Sequence, residues 1–228
     1  MQHRTFGFRA ASDTLRWMEP LLPDAPPPAL RELRFAVIDL ETTGGSAKAF
    51  WDKKERFHPA SEITDIGVVT MAGPVVQGAF ECLAAVEGPY PPAIQRLTGI
   101  TPAMLADAEP WERVALKAAP HLEGRVWVAH HAPFDGSFLK AWLPHGLWHR
   151  HRLVCTRLLA KALIPEAKSR ALVQLCALLG IPNRRPHRAL PDAEATAELM
   201  KHMIARAEAQ GMDGEAFLEL GEISWGKL

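Results

Sequence analysis

Asp39 and Glu41 stand two residues apart at the end of the run Phe35-Ala36-Val37-Ile38, with Thr42-Thr43-Gly44 directly after them. On an extended chain, residues two apart project from one face, with their backbone positions roughly 6.5 to 7 Å apart. Two like charges that close repel, and burying them bare is costly. A hard divalent cation between them removes both penalties, because such ions take carboxylate oxygens. The Thr-Thr-Gly turn lets the backbone approach a ligand. Read alone, the pair also fits a solvated surface pair or a cap. A third carboxylate, Asp135, follows the short apolar run 125–129 within His130-His131-Ala132-Pro133-Phe134-Asp135. Proline suits the start of a helix, so Asp135 falls in a first turn, where the helix dipole favours a carboxylate. A fourth, Asp192, closes His187-Arg188-Ala189-Leu190-Pro191-Asp192. On one helix, five residues would splay His187 and Asp192 roughly 140° apart. The histidine is therefore expected on the loop before the helix, either leaning over a metal held by Asp192 or merely lying at the surface.

The elements that must position these groups can be read from the pattern around them. The unalternating run before Asp39 suits a strand buried on both faces. Residues 62–71 and 75–83 read as two strands joined at Ala72-Gly73-Pro74, a hairpin signal. The charge-rich stretch 45–61, with Lys48, Lys53, Lys54, Glu55 and Arg56, is expected as a surface loop beside the acids, able to touch substrate. Residues 91–99 form a short helix stopped by glycine, and periodicity makes Leu97 core filler from its end. Thr101-Pro102 starts another helix, and 110–122 is a third, with Trp111, Val114, Ala115 and Ala118 on one stripe. A fourth strand is expected at 125–129. Helices then follow from Pro133, at 156–163, at 169–179 with Ser169 as cap and Gly180 as stop, and at 190–205. Strands first and helices after indicate a mixed sheet, and strand ends converging on one cleft are the usual layout of an α/β active site.

Composition sets the bounds. The chain has 228 residues, 48% hydrophobic and 23% charged, enough for one domain with a full core and terminal extensions. We expect an N-terminal extension at 1–33, a domain at 34–206 and a C-terminal tail at 207–228. The extension reads as a helix capped by Ser12-Asp13 and carrying Leu15, Trp17 and Met18, then a proline-rich link. Lys plus Arg equals Asp plus Glu at 26 each, so no global field draws the chain to nucleic acid. The local positive charge for a polyanion lies in 147–152 and 183–188. Three cysteines with no C-x-x-C spacing argue against a disulfide framework and a zinc site, and fit a reducing cytoplasm. No apolar run approaches the ~18 residues of a membrane helix. The amino terminus has no secretory h-region.

Taken in order, Asp39-Leu-Glu41-Thr-Thr-Gly, His130-His-Ala-Pro-Phe134-Asp135 and His187-Arg-Ala-Leu-Pro-Asp192-Ala resemble the three motifs of the DEDDh (DnaQ-like) 3′→5′ exonucleases. That family includes the proofreading epsilon subunit of bacterial DNA polymerase III and ribonuclease T. The likeness extends to Ile63–Val69, Arg96–Thr101 and Leu178–Ile181, and covers roughly residues 34 to 205. It implies a ribonuclease-H-like α/β fold with a five-stranded mixed sheet flanked by helices. It implies that Asp39, Glu41, Asp135 and Asp192 bind two divalent ions, Mg²⁺ or Mn²⁺, with His187 as general base. Thr42, Thr43 and Gly44 would line the terminal nucleotide, Leu97 and Thr98 the last two bases, and His131 and Phe134 the strand end. The implied substrates are single-stranded DNA or RNA 3′ ends, released as nucleoside 5′-monophosphates. A DNA polymerase is the implied alternative partner, with docking through 211–228 or the amino-terminal arm as the main property. An inactive nucleic-acid-binding relative is a further alternative, disfavoured by the presence of all four acids and the histidine. The chain departs from the family pattern at His131, where asparagine is usual, and at Cys155, where aspartate is common. Its 45–61 stretch is also larger than many relatives carry.

Overall fold

Phe35 and Val37 on one side, and Ala36, Ile38 and Leu40 on the other, divide the interior into two cores separated by a sheet. The computed structural model describes residues 28–183 and 185–228, with 144 and 145 by backbone alone; the expected Ser12-Asp13 helix and the proline-rich link lie outside them. β1 (Arg34–Thr42) carries the alternating pair of apolar rows just named. A small separate hairpin follows, β2 (Phe50–Trp51) with β3 (Phe57–His58), so the 45–61 stretch is structured rather than a plain loop. β4 (Ile63–Ala72) runs antiparallel to β1, and β5 (Val75–Leu83) antiparallel to β4, joined at the hairpin turn expected there. Three helices cross over: α1 (Pro92–Thr98), α2 (Pro102–Ala106) and α3 (Trp111–Leu122). β6 (Val126–Ala129) then enters parallel to β1. It leads into α4 (Ala132–Trp142), and β7 (Leu153–Cys155) pairs parallel with β6. After α5 (Thr156–Leu163), α6 (Leu172–Leu179), α7 (Ala189–Ala209) and α8 (Gly214–Gly221), the two-residue β8 (Glu222–Ile223) closes the order β5-β4-β1-β6-β7-β8.

The sheet is mixed, as expected, but has six strands where five were expected. The extra strand is β8, which α8 swings against the free side of β7. Within the segment read as a tail, Phe217 and Leu218 are buried in the core that α5 and α7 share. Ser169 is not the cap of α6: that helix starts three residues later after Ala171, and the Ser169 hydroxyl only accepts from the Ala171 amide at 3.3 Å. Leu97 is half exposed at 50% rather than filling the core, because α1 turns its last apolar position outward while Thr98 and Ile100 go in. α7 starts at Ala189 and runs to Ala209, its apolar row lying against β4 and β1. Among the described residues, no helix is long and apolar enough to cross a membrane.

Candidate active site

Asp39 and Glu41 extend the Phe35–Val37 row, so both side chains leave β1 on the face that packs α7. Their cross-strand partners on β4 are Gly67 and Asp65. Antiparallel pairing thus sets a further carboxylate beside Glu41. Asp65 is fully buried, and its Oδ2 accepts from Arg188 Nε at 3.1 Å. The same guanidinium donates to Glu81 on β5 at 3.0 Å. At Gly67 there is no room for a side chain: a Cβ would lie 2.3 Å from the Ala189 carbonyl carbon and the Leu190 nitrogen. The first turn of α7 therefore rests on bare strand backbone beside Asp39, which brings Asp192 over the end of the sheet.

Asp192 is buried, with Oδ1 accepting from Asn183 Nδ2 at 2.6 Å and Oδ2 from the His187 amide at 2.8 Å. His187 is exposed on the preceding loop, as expected, with φ at 65° in the left-handed region. Such backbone in a residue with a side chain costs on the order of 1–3 kcal/mol, and the bond to Asp192 holds it there. A His187 ring nitrogen and carboxylate oxygens of Glu41 and Asp192 lie within 4.8 Å of one another. Asp135 comes from the first turn of α4. β6 pairs with β1 only as far as Val37, so the Leu40 amide has no strand partner on that side. Asp135 Oδ1 accepts from it at 3.1 Å, which seats the carboxylate at the open end of the sheet.

The electrostatics of this group are adverse without a cation. Burial, then Asp135, Asp192, Glu41 and Asp65, hold the Asp39 carboxyl well above the usual range. Glu41 is pushed up to about 8, by burial first and then by Asp192, Asp65 and Asp135, with Arg188 opposing. Burial takes Asp135 to about 7 against the pull of its amide bonds. Among the described residues, neither Asp39 nor Glu41 accepts a hydrogen bond from the protein. Oxygen donors that repel one another and lack partners fit a hard divalent cation better than any other common ion.

The remaining expected residues divide into surface and support. Thr42 is buried, and its hydroxyl donates to the Gly44 carbonyl at 2.6 Å. The Thr43 amide donates to Glu62 O, and its Oγ1 accepts from Glu62 N, both at 2.9 Å. A Cβ on Gly44 would meet Ser61 Oγ at 2.7 Å, so this turn is held close against residue 61. Thr98 does not reach the surface: its hydroxyl donates to Ile94 O at 3.0 Å and accepts from the Ile100 amide at 3.1 Å. It fixes the end of α1 that presents Leu97. Phe134 is half-buried with its ring 5.0 Å from that of Phe138. His131 is exposed, and its Nδ1 accepts from Arg157 at 3.2 Å, so the pair offers donors of two kinds at the rim. His130 is a structural lock: Nε2 donates to Arg170 O and Nδ1 accepts from the Thr156 hydroxyl, each at 2.9 Å. Of the two basic stretches, Arg152 is bound by Glu215 and Glu222, and Arg188 by Asp65 and Glu81. Asp65, Gly67 and Glu81 were not picked out from the sequence, and Arg188 was read as charge for a polyanion where it instead holds Asp65 and Glu81. The available signal was one aspartate inside an otherwise apolar strand. A cleft of about 750 Å³ beside α7, lined by Gly180, Ile181, Arg185, Glu194, Glu198 and Lys201, holds none of the acids.

Comparison with known proteins bears on the family and the fold. Residues 36–200 match the model of the exonuclease family RNase_T. A Mycobacterium tuberculosis protein named as a bifunctional exonuclease/endonuclease is 37% identical over 188 residues, covering 81% of this chain and 28% of its own length. The DNA polymerase III subunit epsilon of Aquifex aeolicus is 30% identical over 167 residues, covering 72% of this chain and 77% of its own. The chain spans only 12% to 28% of the length of the Mycobacterium tuberculosis protein and several other relatives it matches. Among solved structures, exonuclease X in complex with 5′ overhanging duplex DNA superposes with a TM-score of 0.60 at 24% identity, over 82% of this chain and 98% of that one. That likeness shows a shared ribonuclease-H-like fold.

Proposed function

The chain belongs to the exonuclease family, and on that premise we propose that it removes nucleotides from the 3′ end of single-stranded DNA or RNA by metal-dependent hydrolysis. The observation that carries the reading is the convergence of Asp39, Glu41, Asp135 and Asp192 at one end of the sheet, with the His187 ring at their edge. Two divalent ions, Mg²⁺ or Mn²⁺, held by these carboxylates supply charge stabilisation at the scissile phosphate. A ring nitrogen of His187 takes the proton from the attacking water. The asymmetric hold on Asp192, from Asn183 on one oxygen and the His187 amide on the other, keeps acid and base in one register. The rigid Thr42-Thr43-Gly44 turn offers backbone groups to the terminal nucleotide, and exposed Leu97 stands free to wedge between the last two bases. Phe134 supports the terminal sugar and base. His131 with Arg157 contacts the strand end in the place where the family uses asparagine. The catalytic groups on this reading lie within 34–206, and the segment after it completes the same unit through Phe217, Leu218 and β8.

A 5′-labelled oligonucleotide should shorten as a ladder in Mg²⁺ and not in EDTA, and a 3′-phosphate should slow it. Cleavage of a circular single strand would instead indicate an endonuclease and overturn the polarity.

A further inference from the structure

The hairpin β2–β3 displays apolar surface that a folded chain normally hides. Phe50, Trp51 and Phe57 are 45%, 69% and 55% exposed. Two-stranded hairpins are marginal alone in water, so this one needs internal ties. Asp52 supplies them, accepting from the Lys54 amide at 2.8 Å, the Arg56 amide at 2.9 Å and Arg56 Nε at 2.8 Å. Cross-strand rings do the rest: Phe50 stacks on His58 at 4.8 Å and Trp51 lies 5.3 Å from Phe57. The result is a fixed support whose rings face solvent on both sides.

Charge and position identify what it meets. Lys48, Lys53 and Lys54 are exposed, and among the described residues none has an acidic side chain within ion-pairing distance. In a chain with no net charge, this is local positive potential interleaved with rings. The hairpin also stands on the proposed site. Its neck is closed where the Ser61 amide donates to Ser46 O at 2.8 Å, next to the Thr43–Glu62 bonds that shape the terminal-nucleotide turn. From Ser46 to Phe50 is at most ~14 Å of extended chain. A strand whose end sits at Thr43 therefore passes within reach.

We propose that the β2–β3 hairpin is a second binding element for single-stranded nucleic acid, stacking bases upstream of the scissile end on Trp51 and Phe57 while Lys48, Lys53 and Lys54 follow the phosphates. Aromatic rings serve this role without sequence preference, because every base has a stacking face. The inference rests on the exonuclease reading and adds to it a preference for longer strands.

The test compares dT12 with the p-nitrophenyl ester of thymidine 5′-monophosphate, which is too short to reach the hairpin. In Trp51→Ala/Phe57→Ala, kcat/KM on dT12 should fall roughly 5- to 100-fold, and kcat/KM on the ester should not change. Trp51→Phe with Phe57 intact should keep most of the wild-type kcat/KM on dT12, since any ring at 51 offers a stacking face. In Lys53→Ala/Lys54→Ala, the slope of log kcat/KM on dT12 against log salt should shrink by about 1.4, roughly 0.7 for each phosphate contact on a single strand. Unchanged kinetics on dT12, or equal losses on both substrates, would overturn the proposal; the second outcome would make the hairpin a brace for the Thr43 turn. Anisotropy of fluorescein-labelled dT12 in EDTA separates the two readings. Hairpin-dependent binding by a protein that hydrolyses neither substrate would uphold the hairpin and defeat the exonuclease. Hydrolysis of both with hairpin-independent binding would do the reverse.

Discussion

Stripping divalent ions should make this protein lose stability as the solution becomes more alkaline, against the usual behaviour of carboxylates. Glu41 ordinarily ionises near 4.5, and its surroundings raise it to about 8. A carboxyl raised by folding binds more protons in the folded state, so its stabilising contribution is complete below 4.5 and is lost as pH climbs through 8. Buried histidines act in the opposite sense, since His130 falls from 6.5 to about 4 and His151 is also lowered by burial. The informative window is therefore pH 6.5 to 8: unfolded imidazoles are half charged at its lower edge and lose that charge within it, so the two histidines oppose by at most about 0.4 kcal/mol each. Each pH unit there is worth about 1.4 kcal/mol per group. Glu41 alone should remove about 2 kcal/mol over the window. Asp39, raised as well, adds in the same direction. For a chain of this size, about 2 kcal/mol lowers Tm by about 4 to 8 °C. Calorimetry in EDTA at the two ends of the window reads this directly. Magnesium should flatten or invert the slope, because it binds the ionised form. Glu41→Gln should lose both the Glu41 part of the slope and most of the magnesium effect. A metal-free Tm that is level or rising from pH 6.5 to 8 would refute the reasoning from buried, repelling acids.

Other expectations follow from single contacts. His187→Ala should lower turnover by on the order of 10² to 10⁴ while leaving the magnesium-induced rise in Tm nearly intact; full activity would remove the imidazole from the mechanism. Gly67→Ala places a Cβ 2.3 Å from α7 backbone and should destabilise by about 3 kcal/mol or more in urea, with a small effect counting against the close seat of the helix. Arg188→Met leaves Asp65 buried without its partner and should lose about 3–5 kcal/mol near neutrality. Since Asp65 is raised to about 6 by burial, that loss should be smaller in acid, and an equal loss at both pH values would contradict the pairing.

The four acids were legible because each ends an apolar run or opens a helix, positions that chain order alone locates. His187 was legible as a loop residue, since five residues of separation exclude a shared helical face with Asp192. What escaped were features set by partners distant in sequence. Asp65 and Gly67 matter because register places them opposite Glu41 and Asp39, and register is a property of two strands together. β8 escaped because two residues carry no periodicity, and it forms only where α8 delivers it to β7. Leu97 misled because a seven-residue helix is too short for its stripe to define an inward face. The β2–β3 hairpin was hidden by its charges, which read as solvated loop while the rings between them made cross-strand pairs.

The seat of α7 on Gly67 has a consequence for how this chain can change over time. The gap between β4, which pairs with the strand carrying Asp39, and α7 is gauged by main-chain atoms, which every amino acid shares. Side chains elsewhere in the two cores can drift in size and repack without altering that gauge. The spacing of Asp39 and Asp192 is thereby insulated from most substitutions, and the tolerance is concentrated against one position. A lineage carrying this arrangement is free to vary nearly everything around its acids, provided residue 67 never acquires a side chain.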